Sequence, residues 1–355
     1  MRLGRDRIAE RGELFIGKRI GLVTNHTGRA TIDAFRATFG LAALFSPEHG
    51  LRGDAPAGEA VASGVDDATG IPVHSLYGDT KRPTDAMLEG VDVIVYDIQD
   101  VAARCFTYVS TLAEVMRACA ERGIPVVVLD RPDPLGPLPP DGPVLDMRFA
   151  SFVGESPVPL RYAMTPGELA SFYVDALGID CALTVVELER WGRRWLDDAR
   201  ITFEPPSPAL RSLSACAVYA GTVLFEATNL SVGRGTAAAF ESIGAPWLDA
   251  ARLARVRVEG ARLVPEQHAP GAAVRIEVVE RDRLRPVTLG VRLLTAIRDA
   301  HDELALDRAR FDALAGSDDL RRAFESGATA DDIVRSWREG LEAFGRLRSR
   351  YLRYS

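Results

Sequence analysis

No run of this sequence approaches the roughly 20 consecutive apolar residues that a membrane-spanning helix needs. The opening MRLGRDRIAERGELFIGKR also lacks the apolar core of a secretory leader, so a soluble cytoplasmic protein is expected. Cysteine is scarce: Cys105, Cys119, Cys181 and Cys216 are widely spaced without a C-x-x-C, and they read as buried free thiols rather than disulfides or zinc ligands. The five histidines form no H-x-x-x-H pattern, which leaves a metal site without support. Long basic stretches are missing and the formal net charge is −7, which argues against nucleic acid or an anionic membrane as the main partner. Neither G-x-G-x-x-G nor G-x-x-x-x-G-K-[ST] marks a strand-to-helix turn, so a nucleotide cofactor is not expected. Repeats and low-complexity tracts are absent.

What is present alternates. RIGLVTN (19–25) is a short β-prone run, and TIDAFRATFG (31–40) reads as a helix stopped by Gly40. LAALFS (41–46), IPVHSLYG (71–78) and VDVIVYDIQD (91–100) are further strand candidates, and IPVVVLD (124–130) closes the series. Between the last two, Thr111 and Glu114 match a capping box for a helix over 111–122, with Leu112, Val115, Met116 and Cys119 on one face and Gly123 as its stop. Such alternation predicts an α/β fold with a parallel sheet covered by helices on both faces. The length, 355 residues, suggests two lobes, and the proline-rich DRPDPLGPLPPDGPV (130–144) reads as the crossing between them. Beyond it, Thr165, Pro166 and Glu168 open a helix, CALTVVELE (181–189) and AVRIEVVE (273–280) are strand-like, and the C-terminus is helical. Thr329 and Asp332 cap that last helix, whose stripe of Ile333, Trp337, Leu341, Phe344, Leu347 and Tyr351 is core packing.

Polar clusters fall where the strands end: Asn25-His26, Glu48-His49, Asp97 to Asp100, and Asp130-Arg131. Open α/β sheets bind ligands outside the carboxyl ends of their strands. Glu48, behind a proline and beside His49, is therefore either a turn carboxylate or part of a catalytic rim.

Several stretches together resemble one family. They are GLVTNHTG (21–28), SPEHGLRGDAPAGE (46–59), SLYG (75–78), DIQDVAARCFTYVSTL (97–112), DRPDPLGP (130–137), SFVG (151–154), PPSP (205–208), GTVLFEATNLSVGRGT (221–236), GAPW (244–247) and the tail SWREGLEAFGRLRSRYLRY (336–354). In collinear order over nearly the whole chain, this resembles the exo-β-N-acetylmuramidase (NamZ-type) family of peptidoglycan hydrolases. The resemblance implies a Rossmann-like lobe over residues 1–145, a smaller α/β lobe over 146–355 with a helical C-terminus, and a site in the cleft between them. It also implies release of N-acetylmuramic acid from the non-reducing end of peptidoglycan fragments, the expected partner, without metal or nucleotide. Three positions depart from the family pattern: Phe106 in RCFTY lacks an aromatic hydroxyl, Tyr162 in RYAMT replaces a histidine, and Val232 in VGRGT replaces a carboxylate. Exported members are common in this family, and a recycling role inside the cell is the expectation for this chain. Oligomeric state is left open.

A glycosidase must protonate a poor leaving group and stabilise an oxocarbenium-like transition state, with two carboxyl groups or with one acid and the substrate's own 2-acetamido oxygen. Glu48 is the candidate acid, beside apolar Phe45 and Pro47. Asp97 and Asp100 are candidates to polarise water or hold a hydroxyl, or else to cap loops and pair with Arg104. Tyr108 is a catalytic candidate or a buried core tyrosine. Muramic acid carries a lactyl carboxylate, for which a guanidinium fork from Arg104 or Arg234 is suited. His49, Asn25, His26, Glu226 and Asn229 complete the candidate substrate-binding set, each with an alternative as a loop-fixing residue. A non-catalytic amino-sugar or muropeptide-binding protein on the same fold is the competing reading.

Overall fold

The computed structural model describes residues 1–268 and 271–354. Its strands, in chain order, are β1 (Ile20–Thr24), β2 (Ala43–Ser46), β3 (Gly64–Val65), β4 (Pro72–Ser75), β5 (Val93–Asp97), β6 (Val126–Leu129), β7 (Asp141–Val144), β8 (Pro159–Arg161) and β9 (Leu183–Val186). Seven of these form one sheet in the order β3-β4-β2-β1-β5-β6-β9, parallel except for β3. Apart from the two-residue β3, this is the doubly wound order: the chain steps outward from β1 on one side, then returns to continue on the other.

Strand side chains alternate between faces. Leu22, Leu44, Val93, Val95 and Val127 face one core with Phe15 and with Ile32 and Phe35 of α1 (Arg29–Thr38). Val23, Phe45, Ile94, Tyr96 and Val128 face a larger core with Leu112, Val115 and Met116 of α2 (Tyr108–Arg122) and Leu169 and Phe172 of α3 (Pro166–Ala176). Because both faces are covered, β1, β2, β5 and β6 are buried along their whole length, which is why they read as continuous apolar runs.

Two local expectations change. Helix α2 begins at Tyr108 rather than at 111, because Thr107 is already helical and the Thr111 hydroxyl bonds back to the Thr107 carbonyl at 3.3 Å. Glu114, expected to close a capping box, instead pairs with Arg82 and Arg117. The second concerns the crossing: the proline-rich segment loops out, and the chain returns through α3 to add β9 beside β6, so the first sheet draws on residues both sides of 145. The start of α3 is as read, with a reciprocal capping box between Thr165 and Glu168.

The second half contains α4 (Leu213–Thr222), β10 (Ser242–Ala245), α5 (Ala250–Leu253), β11 (Ala261–His268), β12 (Gly271–Val278) and α6 (Pro286–Arg298). Its strands make an antiparallel sheet ordered β10-β12-β11. Helices α7 (Arg308–Ala315), α8 (Asp319–Glu325), α9 (Ala330–Ser336) and α10 (Arg338–Arg348) follow, the single C-terminal helix expected being divided at Trp337. Phe344 and Tyr351 pack edge-on against Phe172 of α3, and the Tyr354 hydroxyl donates to Asp130 at 2.5 Å. The C-terminus thereby returns to the carboxyl end of β6.

Helices α4 and α6 cross closely because glycines meet at the crossing: a Cβ on Gly221 would lie 1.9 Å from the Pro286 carbonyl oxygen. Gly221→Ala should therefore lower stability by about 3 kcal/mol through overpacking, measured as a shift in the urea midpoint. A change below about 0.5 kcal/mol, the range of a neutral surface substitution, would show that this crossing is not tight.

Candidate active site

Doubly wound sheets usually take ligands where the strand order reverses, here between the ends of β1 and β5. In this chain that crevice is filled. Asp97, at the end of β5, accepts hydrogen bonds from Arg131 Nε at 2.5 Å and Nη2 at 3.0 Å, and from the Thr31 hydroxyl. Arg131 also donates to the Thr27 carbonyl at 2.8 Å, and the Thr24 hydroxyl donates to the Asp97 carbonyl at 2.7 Å. Even a Cβ on Gly28 would come within 1.9 Å of the Thr24 hydroxyl oxygen.

The open space lies farther along, beyond the end of β2, as a cleft of about 1030 Å³ between the sheet and the second half of the chain. Glu48, His49, Tyr77 and Thr107 line one wall, and Arg211, Tyr219, Glu226, Arg234 and Arg310 line the other. Strand β2 is buried to Ser46, and the chain surfaces through Pro47 to a half-buried Glu48. His49 and Gly50 both take left-handed backbone, φ +69° and +74°, which folds the next residues back over the strand end. His49 Nδ1 donates to the Ala55 carbonyl at 2.7 Å, since a carbonyl only accepts, and this assigns the proton to that nitrogen. The returning loop brings the Gly58 amide to Glu48 Oε1 at 2.8 Å, while the Thr107 hydroxyl lies 2.5 Å from Oε2. Tyr77 stands close by: burial and the neighbouring Glu48 carboxylate push its pKa up to about 12.

On the facing wall, Gly233 and Gly235 take φ +70° and +81°, conformations that glycine adopts at no steric cost, and they present Arg234 between them. Arg234 Nε donates to Glu226, and the guanidinium lies 4.9 Å from the centre of the Phe240 ring. Arg310 approaches the other Glu226 oxygen at 3.9 Å. Burial works against the Arg234 charge, but Glu226, and Glu48 from across the cleft, hold its pKa above the ordinary value. Its terminal nitrogens make no hydrogen bond among the described residues.

Of the candidates read from sequence, Glu48, His49, Glu226 and Arg234 come together on this cleft. The others are placed elsewhere. Arg104 is a correction: it is buried at 1% exposure, and its guanidinium donates to the carbonyls of Val158 at 3.0 Å and Leu314 at 2.9 Å. A side chain so engaged does not fork a substrate carboxylate. Asp97 is consumed by the Arg131 pair. Asp100 is buried under Tyr162 and accepts from the Ala102 amide at 2.7 Å. Tyr108 lies behind the cleft wall, its hydroxyl donating to the Pro206 carbonyl at 3.1 Å and its ring packed edge-on against Phe106. Asn229 ties its loop to Glu303 and Ala305 by hydrogen bonds at 2.7 and 3.0 Å. Asn25 accepts from Thr27 within its own turn, and His26 Nε2 donates to the Pro205 carbonyl at 2.6 Å. Asn25 and His26 border a separate hollow of about 450 Å³ over α1, with Arg29, Arg36 and Arg52.

Sequence reasoning missed Thr107, Tyr77, Arg211 and Arg310. The first two sit inside quoted motifs, RCFTY and SLYG, and their hydroxyls were the available signal. Arg310, in the first turn of α7, carries none. Of the departures from the family pattern, Phe106 and Val232 line the cleft, whereas Tyr162 is buried on Asp100. Among the described residues, no cluster of three or more His, Cys, Asp or Glu is arranged to hold a metal ion.

On a Rossmann-like frame, a broad cleft of carboxylate, guanidinium, hydroxyl and aromatic groups suits a polar, many-hydroxyl ligand such as a sugar. The chain belongs to the exo-β-N-acetylmuramidase NamZ family: its N-terminal model matches residues 20–214 and its C-terminal model residues 217–354. It is 41% identical over 361 aligned positions, 95% of this chain and 87% of the relative, to the peptidoglycan β-N-acetylmuramidase NamZ of Bacillus subtilis (strain 168). Two DUF1343 family proteins of Bacteroides fragilis NCTC 9343 share the fold. One has a TM-score of 0.90 at 29% identity and the other 0.78 at 28%, each covering 100% of this chain and 99% of its own.

Two predictions separate the buried groups from the cleft groups. Arg104→Ala, which strips partners from buried carbonyls, should cost about 3 kcal/mol in denaturant unfolding, and Arg234→Ala, on a half-exposed pair, less than about 1 kcal/mol. Equal costs would place both arginines in the same structural class. For Asp100, burial pushes the pKa from 3.8 up to about 7. Below the lower value both folded and unfolded chains hold the proton; above it the unfolded chain releases its proton first. This group's contribution is therefore fully present at low pH and is lost as pH rises through about 7. Asp100→Asn should flatten the fall in unfolding free energy across that window, and an unchanged slope would contradict the assignment.

Proposed function

We propose that the chain is an exo-β-N-acetylmuramidase that releases terminal N-acetylmuramic acid from the non-reducing end of peptidoglycan-derived glycans during cell-wall recycling. The observation that carries this reading is the placement of Glu48 and Arg234 on facing walls of one cleft of about 1030 Å³, in a chain of the NamZ family.

Glu48 is the general acid of this proposal. A hydroxyl both donates and accepts, so Thr107 serves Glu48 in either protonation state and keeps its orientation while the proton moves to the leaving oxygen. The free terminal nitrogens of Arg234 take the lactyl carboxylate as a fork, and Glu226 on Nε fixes the plane of that fork. Glu226 stands between Arg234 and Arg310, which leaves Glu48 as the cleft carboxylate without a cationic partner among the described residues. One free acid and a 2-acetamido substrate favour attack at the anomeric carbon by the substrate's own amide oxygen as the bond to the protonated leaving oxygen breaks, with water then adding to the anomeric carbon to open the cyclic intermediate and give the free sugar.

Mass spectrometry of products from a defined MurNAc–GlcNAc disaccharide should show free N-acetylmuramic acid. Glu48→Gln should lower kcat by about 10²- to 10⁴-fold with stability preserved; near-normal turnover removes Glu48 from the acid role. Arg234→Ala should reduce the preference for a muramic over a glucosamine terminal sugar by about tenfold to a hundredfold, the value of a charge-assisted hydrogen bond. An unchanged preference would take the lactyl group away from Arg234.

A further inference from the structure

Two groups of side chains have Glu48 in common. One is the cationic group just described, in which Arg234 feels the Glu48 charge from across the cleft. The other is aromatic. Tyr77, whose hydroxyl also feels Glu48, has its ring 5.8 Å from that of Phe152, and Val153 beside Phe152 lines the cleft. Lys81 sits over both rings, 4.3 Å from the centre of Phe152 and 5.2 Å from that of Tyr77. It makes no ion pair or hydrogen bond among the described residues. Phe152 is held in a turn closed by reciprocal backbone hydrogen bonds between Ser151 and Gly154, both 2.9 Å. Gly154 rests on the buried Arg104, whose Cδ would lie 3.0 Å from any Cβ at that position. Tyr77 and Phe152 are therefore half-buried and held on a tight turn at the edge of the cleft, which Tyr77 and Val153 line.

We infer that Tyr77, Phe152 and Lys81 form the subsite for the leaving sugar, an uncharged N-acetylhexosamine on the reducing side of the scissile bond. The inference rests on the glycosidase reading above. It follows from dividing a two-sugar ligand by its chemistry. The sugar bearing the carboxylate goes to the guanidinium side of Glu48. The neutral sugar lays its C–H face, which carries partial positive charge, on the negative face of an aromatic ring. One ammonium covers a single face of Phe152, and its unused N–H groups reach for sugar hydroxyls. The cleft, at about 1030 Å³, has room for more than one pyranose.

The test compares kcat/KM for the MurNAc–GlcNAc disaccharide with that for N-acetylmuramyl fluoride, whose leaving group has no sugar ring. Phe152→Ala should lower the disaccharide-to-fluoride ratio about tenfold, the scale of one aromatic contact, and Phe152→Tyr should restore it. An unchanged ratio, including an equal loss on both substrates, overturns the subsite. Saturation-transfer NMR with methyl β-N-acetylglucosaminide supplies a readout independent of turnover. Wild-type protein should saturate the sugar ring protons and Phe152→Ala should not. Absence of that signal in wild type overturns the subsite even in an active enzyme. Its presence without turnover on either substrate keeps the subsite and removes the hydrolase reading instead.

Discussion

The buried pair between Asp97 and Arg131 decides where this molecule has room for a ligand. It lies at the reversal point of a doubly wound sheet, the place where such folds hold nucleotides, and it closes that place with protein. Both partners are almost wholly buried; Arg131 also holds the Thr27 carbonyl of the β1–α1 turn, and Asp97 the Thr31 hydroxyl in the first turn of α1. Removing either partner would strand a charge in the interior at a cost of about 3–5 kcal/mol. With the central crevice filled, the carboxyl edge stays open at β2, where the second half of the chain stands off and Glu48 emerges.

A second constraint ties the far wall of that cleft to the near one. Arg104 comes from the segment just before α2, yet its guanidinium donates to carbonyls at Val158 and Leu314. Its stem supports the turn that carries Phe152. Leu314 belongs to α7, the helix that also carries Arg310 to Glu226. An arginine first read as a sugar ligand is instead the post on which two cleft-lining elements are mounted. The C-terminal tail adds a third tie through Tyr354 and Asp130.

Much of the frame was legible because burial on both faces leaves a plain mark. Strands β1, β2, β5 and β6 appear as apolar runs with no alternation, and the polar clusters fall at their ends. The capping box of α3 was equally plain, since its two residues serve one another. The α2 start was not: Thr111 and Glu114 have the right spacing, but Thr107 had already begun the helix and Glu114 had arginine partners. Among the residues lining the cleft, Glu48 and Arg234 were visible through their neighbours, a proline after a buried strand in one case and flanking glycines in the other. For Asp100 and Tyr108 the sequence left a structural role open beside the catalytic one, and nothing local chose between them: the partners of Asp100 include Tyr162, and Arg104 and Tyr108 donate to carbonyls far along the chain. Arg310 was missed for the converse reason, its position depending on a helix packed against a loop more than seventy residues earlier.

On the proposed function, the sugar binds across the cleft between Glu48 and Arg234, and not in the sheet crevice or in the arginine-bordered hollow over α1. A crystal structure of the Glu48→Gln protein soaked with the MurNAc–GlcNAc disaccharide tests this most directly. The glycosidic oxygen should lie within hydrogen-bond reach of residue 48 and the lactyl carboxylate on the terminal nitrogens of Arg234. Sugar density beside Arg29, Arg36 and Arg52, with the cleft empty, would contradict it.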